Sequence, residues 1–434
     1  MNTAARLLRY VQGPRSAVHL WWLRPAPLVL CVVVPLYLSF LAFDYENVVP
    51  RRYLPSGNYY WGLVLLGALA LGAWIGSHWQ SKHDSGAAAL TTLTTHIPAW
   101  ITAPLLLFTV LAYIIWFGPL AADPGPLGEM LSGERDNLRG ELTTMPGVTT
   151  LTQCGVAFVV LVTIKRYTTS GAALWERIGI LLVIVLAAGR AFLWSERLAV
   201  LEVLVPWGVT TAAFYRFKTA NGARLAILLP LLGPVLLFFA FAGTEYFRSW
   251  RFYQDYYDSI WQFSYERLMT YYAVAANSGI GLLEETRDWP QYTGRFVFEW
   301  AYAMPKLGHI LVDAFGNTGA GFENFLLDYG DKEFNNPSGI FPIVYDVGYF
   351  GSAVYFLVVG LLVGFARRSY ARLQPFGLMF YPFCVLFILE LMRFNYLAAS
   401  RFVPTAGSLA VALYLLYILP RGKQSTGLRA LRKA

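Results

Sequence analysis

The chain is predicted to be an all-α polytopic membrane protein. It should have about ten transmembrane helices and a large, partly helical outside loop between the seventh and eighth. Two observations lead there. Of its 434 residues, 56% are hydrophobic and only 14% charged, against about 25% charged in an average soluble protein. The mean hydropathy is +0.47. Such a chain cannot cover a water-facing surface, so the bilayer must be part of its solvent. The apolar residues also gather into runs of roughly 20, the length that crosses the hydrocarbon core as a helix. Helices are expected because a lipid-facing segment must satisfy its own backbone polar groups. Disordered chains, secreted disulfide scaffolds and soluble nucleic-acid binders are excluded on the same grounds.

In chain order the apolar runs cover 27–43, 60–77, 98–121, 148–164, 172–190, 198–214, 224–243, 347–366, 376–393 and 402–420. The first follows an arginine-rich start and lacks a small-residue cleavage site, so it reads as a retained anchor rather than a signal peptide. The fifth and sixth are short and joined by the charged corner Trp194-Ser195-Glu196-Arg197. Four segments result. A membrane bundle spans 1–243, an outside loop 244–346, a second bundle 347–420 and a cytoplasmic tail 421–434. There is no internal repeat and no low-complexity tract. Cys31, Cys154 and Cys384 lie far apart in apolar runs and read as buried hydrophobes, neither disulfide nor metal site.

Charge sets the orientation. With the N-terminus in the cytoplasm, the inside segments collect Arg6, Arg9, Arg15 and Arg24, then Lys82, then Lys165, Arg166 and Arg177. Arg216, Lys218 and Arg224 follow, then Arg367, Arg368 and Arg372, and finally the basic tail. The acids on that side are Asp84 and Glu176 alone. The net charge of +8 is thereby explained by topology, without a nucleic-acid partner. The expected location is a bacterial inner membrane, with both termini cytoplasmic.

The outside loop is acidic and aromatic. Residues 244–283 are predicted to form one helix, with Trp250, Tyr253, Tyr257, Trp261, Tyr265, Leu268 and Tyr272 on one face at three- or four-residue spacing. That helix could lie at the interface as an aromatic belt. It could also wall a groove in which rings such as Tyr257 and Trp261 stack on sugars while arginines meet phosphate. A guanidinium offers a planar fork that matches phosphate oxygens and cannot shed its charge. Arg190, Arg197, Arg248, Arg251 and Arg267 all fall on the outside face and are read together as a phosphate site. Glu390, Arg393 and Arg401 bracket Asn395-Tyr396, and Glu390 with Arg393, one turn apart, reads as a structural ion pair. Of the five histidines only His309 lies outside, where it could act as a base. No metal-ligand spacing appears. Asp44-Tyr45-Glu46 is the one weak acidic pair after the first span.

These residues resemble a family. Gly189-Arg190-Ala191-Phe192-Leu193 followed by Arg197 and an apolar helix looks like the "(S/G)R, then apolar span" signature of the O-antigen polymerases, the Wzy-like oligosaccharide repeat-unit polymerases. Arg267-Leu268-Met269-Thr270-Tyr271-Tyr272 with Ala275-Ala276-Asn277-Ser278-Gly279 resembles their large-loop "R-x-x-x-YY…A-x-N-x-G" stretch. Asn336-Pro337-Ser338-Gly339 leading to Tyr345-Asp346-Val347-Gly348-Tyr349-Phe350-Gly351 resembles their exit from the loop into the next span. The motifs span about a third of the chain. The related O-antigen ligases usually carry a histidine before a polar residue where this chain has Asn335-Asn336-Pro337-Ser338.

The resemblance implies a membrane glycosyltransferase of the GT-C type. Its substrates would be undecaprenyl-pyrophosphate-linked oligosaccharides, joined in surface polysaccharide or lipopolysaccharide synthesis. Membrane lipid and a chain-length regulator protein would be its partners, and no cofactor is implied. Arginines would hold the leaving pyrophosphate. Tyr271, Tyr272 and Asn277 join Tyr257 and Trp261 as sugar-binding candidates. His309, Glu323 and Asp346 remain alternatives for the base. Three alternatives stand beside the polymerase reading. A flippase or transporter should place its charges near the bilayer midplane. A metal-dependent glycosyltransferase would use Asp44 and Glu46. A structural scaffold gives no reason for the clustered arginines.

Overall fold

The computed structural model describes residues 16–43, 49–79, 92–132, 134–135, 138–168, 171–194, 196, 198–286, 289–316, 319–330 and 334–418. Among them there is no strand. The helices are α1 (Pro25–Ser39), α2 (Gly57–His78), α3 (Ala99–Ala122), α4 (Gly125–Ser132), α5 (Cys154–Arg166) and α6 (Leu174–Leu193). They continue with α7 (Leu198–Phe214), α8 (Ala220–Ile227), α9 (Leu229–Arg248), α10 (Trp250–Tyr253), α11 (Ile260–Glu285) and α12 (Glu299–Tyr302). The last are α13 (Leu307–Phe315), α14 (Gly319–Asp328), α15 (Phe341–Ala371), α16 (Pro375–Glu390) and α17 (Phe402–Leu413). Each apolar run of the sequence carries a helix. Among the described residues four are long and apolar enough to cross a membrane: α2, α3, the Leu229–Tyr246 part of α9, and α15.

Burial sorts these helices into two kinds. In α5 every residue from Cys154 to Lys165 is buried, and α3, α6, α7 and α17 pack around it. A helix apolar all round and buried all round is the centre of a bundle. By contrast α9 turns Leu231 and Leu236, 68% and 63% exposed, away from the protein. The closest pair is α2 with α15. A Cβ at Gly72 would stand 2.2 Å from the Leu357 carbonyl oxygen, and one at Gly360 would stand 2.3 Å from that of Leu69. Small residues thus let two backbones touch where hydrophobic burial gives no force between helices.

The two ends of the bundle differ. At one, residues 16–24 are strapped down. The buried Arg367 donates through Nε to the Leu23 carbonyl at 2.6 Å and through Nη2 to that of Val18 at 2.5 Å, and Ala17 N–H donates to Tyr215 O at 2.9 Å. All these segments were expected on the inside. The other end holds a cavity, and every segment around it was expected on the outside.

The loop 244–346 is partly helical, but the single helix expected over 244–283 is three. Backbone helicity stops at Ser249, with φ −121°. The short α10 follows, and the long helix starts only after Ser259, an extended N-cap whose hydroxyl accepts from Gln262 N–H. Short hydroxyl side chains satisfy local backbone groups and so favour caps over helix interiors. Nor does α11 lie on a surface. Every residue from Ala273 to Leu283 is buried, against α9, α14 and α15. The aromatic stripe is not its inner face: Trp261 and Tyr265 are each 53% exposed, while Arg267, Thr270 and Asn277 are buried.

The entry into α15 is also reshaped. Gly348, at φ 72°, breaks the helix near its start, and only glycine takes that conformation cheaply. The preceding Asn-Pro-Ser-Gly turn is wedged beneath residues 391–395. Gly339 N–H donates to Leu391 O at 2.9 Å, and a Cβ on Gly339 would lie 2.6 Å from the Phe394 carbonyl carbon.

Candidate functional site: an arginine-lined cavity

The cavity has a volume of about 1140 Å³, large enough for a ligand of several sugar rings by comparison with ordinary ligand pockets of roughly 300–1,000 Å³. Its wall comes from the 139–153 segment, the α6–α7 corner, α9, α11, the α12 region, Asn335-Asn336 and residues 393–404. These segments are distant in sequence, and their helix ends converge here.

Arg190, in the last turn of α6, is buried. Its guanidinium carbon lies 5.2 Å from the centre of the Trp116 ring. It donates through Nε to Glu196 Oε2 at 2.8 Å and also through Nη2. Arg401, just before α17, donates through Nη2 to the other Glu196 oxygen, and its Nε lies 2.9 Å from Glu202 Oε1. Gln153 Nε2 donates to Glu202 Oε2 at 3.0 Å. Burial raises the Glu196 carboxyl, but Arg401 and Arg190 outweigh it and hold the group below its ordinary value. Burial opposes the charge on Arg401, and Glu202 and Glu196 overcome it, raising its pKa.

A third cation joins a wall that Arg139 also lines. Arg393 donates through Nη1 to Glu390 Oε2 at 3.0 Å and stands 5.9 Å from the centre of the Tyr271 ring. Its Nε is buried without a hydrogen-bond partner among the described residues. Each guanidinium carries five N–H donors, and the carboxylates occupy only part of them. The charges thus offset one another, which lowers the cost of holding arginines in a poorly hydrated site. The remaining forks are left for an anion. This arrangement can bind a di-anionic phosphate group and hold it fixed while charge develops on it.

The structure redistributes the expected site. Arg190, Tyr271 and Tyr272 line the cavity. Arg251 and Arg267 are not brought to it. Arg251 is exposed and donates to Ser132 O at 3.0 Å. Arg267 is buried 3.1 Å from Glu245, among the rings of Tyr253, Phe263 and Phe334. Arg197 and the Arg248 side chain lie outside the described residues, as do Asp44 and Glu46. Tyr257 stacks edge-on to Phe263, and Trp261 packs on Phe238 and Phe239, both away from the cavity. Asn277 is committed to the chain before α2. It accepts from Tyr53 N–H at 2.7 Å and donates to Arg51 O at 3.0 Å.

Of the candidate bases, His309 and Glu323 are exposed on α13 and α14 and do not line the cavity. Asp346 is fully buried. It accepts from Thr293 N–H and Oγ1, Gly294 N–H and Phe296 N–H at 2.8–3.2 Å, so its oxygens hold a loop together. The Glu390–Arg393 ion pair is present as expected, yet Arg393 and Arg401 also form the cavity wall, which sequence spacing did not suggest. Glu299 and Arg139 also line the cavity, and the reading of the sequence passed over both. Among the described residues no group of three or more His, Cys, Asp or Glu side chains could hold a metal ion. The chain matches no protein-family model, no curated protein and no solved structure.

Proposed function

We propose that this protein polymerises undecaprenyl-pyrophosphate-linked oligosaccharide repeat units by glycosyl transfer on the outer face of a bacterial inner membrane. It does so with ten spans and both termini in the cytoplasm. The observation that carries this reading is the convergence of Arg190, Arg393 and Arg401 on one large cavity at a single end of an apolar helical bundle. The motif likeness to O-antigen polymerases supports it independently, since Arg190, Tyr271 and Tyr272 belong to those motifs and line that cavity.

The chemistry follows from the wall. The growing chain sits with its pyrophosphate against the arginine forks and its sugars against the rings of Tyr271 and Tyr272. A hydroxyl of the incoming unit attacks the anomeric carbon. The bond to the pyrophosphate oxygen breaks with its electron pair, and the fixed guanidiniums stabilise that developing charge. Cationic donors already in place at the moment of reaction need no reorganisation. On the α9 side the cavity meets Leu237 and Phe241, an apolar wall suited to the lipid chain.

The test is purified protein incubated with lipid-linked repeat units. The expected product is a ladder of lengthened chains, and cells lacking the protein should carry a single repeat. A flippase would form no covalent product, and a ligase would cap a lipid acceptor without a ladder. Either outcome would replace this proposal. Topology is tested by single cysteines. One at Gln254 should react with an impermeant thiol reagent in spheroplasts, and one at Asn221 should not.

A further inference from the structure

We infer that Glu299 is the general base that accepts the proton of the attacking hydroxyl. This rests on the glycosyl-transfer reading above and adds a residue to it.

Glu299 lines the cavity with its side chain accessible from it. Of the two glutamates on that wall, Glu196 is occupied by two guanidiniums. The Glu299 side chain makes no hydrogen bond or ion pair with any described residue. Its position is nevertheless fixed from both sides. Upstream, Asp346 gathers the N–H groups of Thr293, Gly294 and Phe296. Downstream, Trp300 N–H donates to Ala398 O at 2.8 Å, which ties the loop to the segment carrying Arg401. An unengaged carboxylate is thus held on a braced backbone in the same cavity as the proposed phosphate forks. Asp346 acts here as a positioning residue, which accounts for its burial and its four donors.

The charged groups around Glu299 are Arg295 on its own loop, stacked 5.4 Å from the centre of the Tyr302 ring, and Arg401. Arg190, Arg393, Arg139 and Glu196 lie elsewhere on the wall. Burial raises the Glu299 carboxyl above its ordinary value, opposed by Arg295 and Arg401. A base works best with its pKa near the working pH, and this shift is in that direction. In the step itself the hydroxyl oxygen bonds to the anomeric carbon. Its proton passes to the Glu299 carboxylate, and the carbon–oxygen bond to pyrophosphate breaks onto the pyrophosphate. The proton then leaves to water.

The experiment compares wild type, Glu299→Gln and Glu299→Asp in the purified ladder assay, with melting temperature followed as undecaprenyl pyrophosphate is added. General-base removal costs about 10²–10⁴-fold. That loss is expected in kcat for Glu299→Gln, with KM for the donor and the melting shift unchanged and a smaller loss for Glu299→Asp. The wild-type rate should rise with pH through the raised carboxyl pKa, and the glutamine variant should lack that limb. Azide, a nucleophile with no proton to remove, should restore turnover of Glu299→Gln and yield the glycosyl azide. A glutamine variant within threefold of wild type would overturn the inference and leave glycosyl transfer standing. So would a variant that loses the melting shift, or that azide fails to rescue. A wild-type protein that makes no ladder would overturn both. If Glu299→Gln does not fold, an unchanged pH profile in Glu299→Asp overturns the inference.

Discussion

Two ionic clusters lie against the α3–α7 half of the bundle, and their difference separates structure from function. In one, Lys165 at the end of α5 donates to Glu176 Oε1 at 2.8 Å. Glu176 also accepts from Thr102 Oγ1 at 2.7 Å and from Ala173 N–H at 2.9 Å. Both of its oxygens are used, and the pair borders no part of the cavity. In the other, Arg190 and Arg401 meet Glu196 and Glu202 at the cavity wall, and donors remain. A closed pair holds helices in register. A pair opened on one side can exchange part of its bonding with a ligand.

Breaking the closed pair should have the largest effect. Removing one partner of a buried ion pair costs about 3–5 kcal/mol, because the other charge is left uncompensated. Lys165→Met should therefore lower stability by that order while turnover per folded molecule stays the same. Adding Glu176→Leu should recover most of the loss, since an apolar pair of similar volume is often neutral. Denaturant or thermal unfolding in detergent measures both.

Next come the open-cluster arginines. If Arg190 and Arg401 only balance charge, lysine serves as well, because it keeps the positive charge. If they grip pyrophosphate with a fork, lysine loses the bidentate geometry. A charge-assisted hydrogen bond is worth about 1.5–3 kcal/mol, and each 1.36 kcal/mol is tenfold in rate. Arg190→Lys and Arg401→Lys should each slow the ladder assay by about one to two orders of magnitude at matched protein level. Full activity in both would reduce the open cluster to the role of the closed one.

A smaller effect is expected in acid. The Glu196 pKa is depressed on folding, so its contribution is present above the unfolded value of 4.5 and is lost as pH falls through the lower folded value. Melting temperature should decline over that window in wild type and less in Glu196→Gln. The smallest kinetic effect belongs to Arg267→Lys. Arg267 pairs with Glu245 away from the cavity, so turnover should stay within about threefold of wild type. Loss of its packing among three rings should cost about 1 kcal/mol of stability. A large loss of turnover would mean that this buried pair reaches the substrate after all.

The sequence by itself determined that the chain is helical and apolar and where its apolar helices run. An apolar run of bilayer length has one way to satisfy its backbone, a local requirement that each segment carries alone. It also singled out Arg190, Tyr271 and Tyr272, which line the cavity. The tertiary structure decided the rest. Glu196 and Arg401 are 205 residues apart, and no local pattern announces that they will meet. The spacing of Glu390 and Arg393 gave their pair but not the cavity beside it. The face of α11 was misread for a physical reason. In water, aromatic residues mark the inside of a helix. In α11 Trp261 and Tyr265 stay outside, and the inner face carries polar residues that find partners there, Arg267 on Glu245 and Asn277 on the chain before α2. Hydropathy locates a span, but polar satisfaction turns it, and that is settled only when the helices pack.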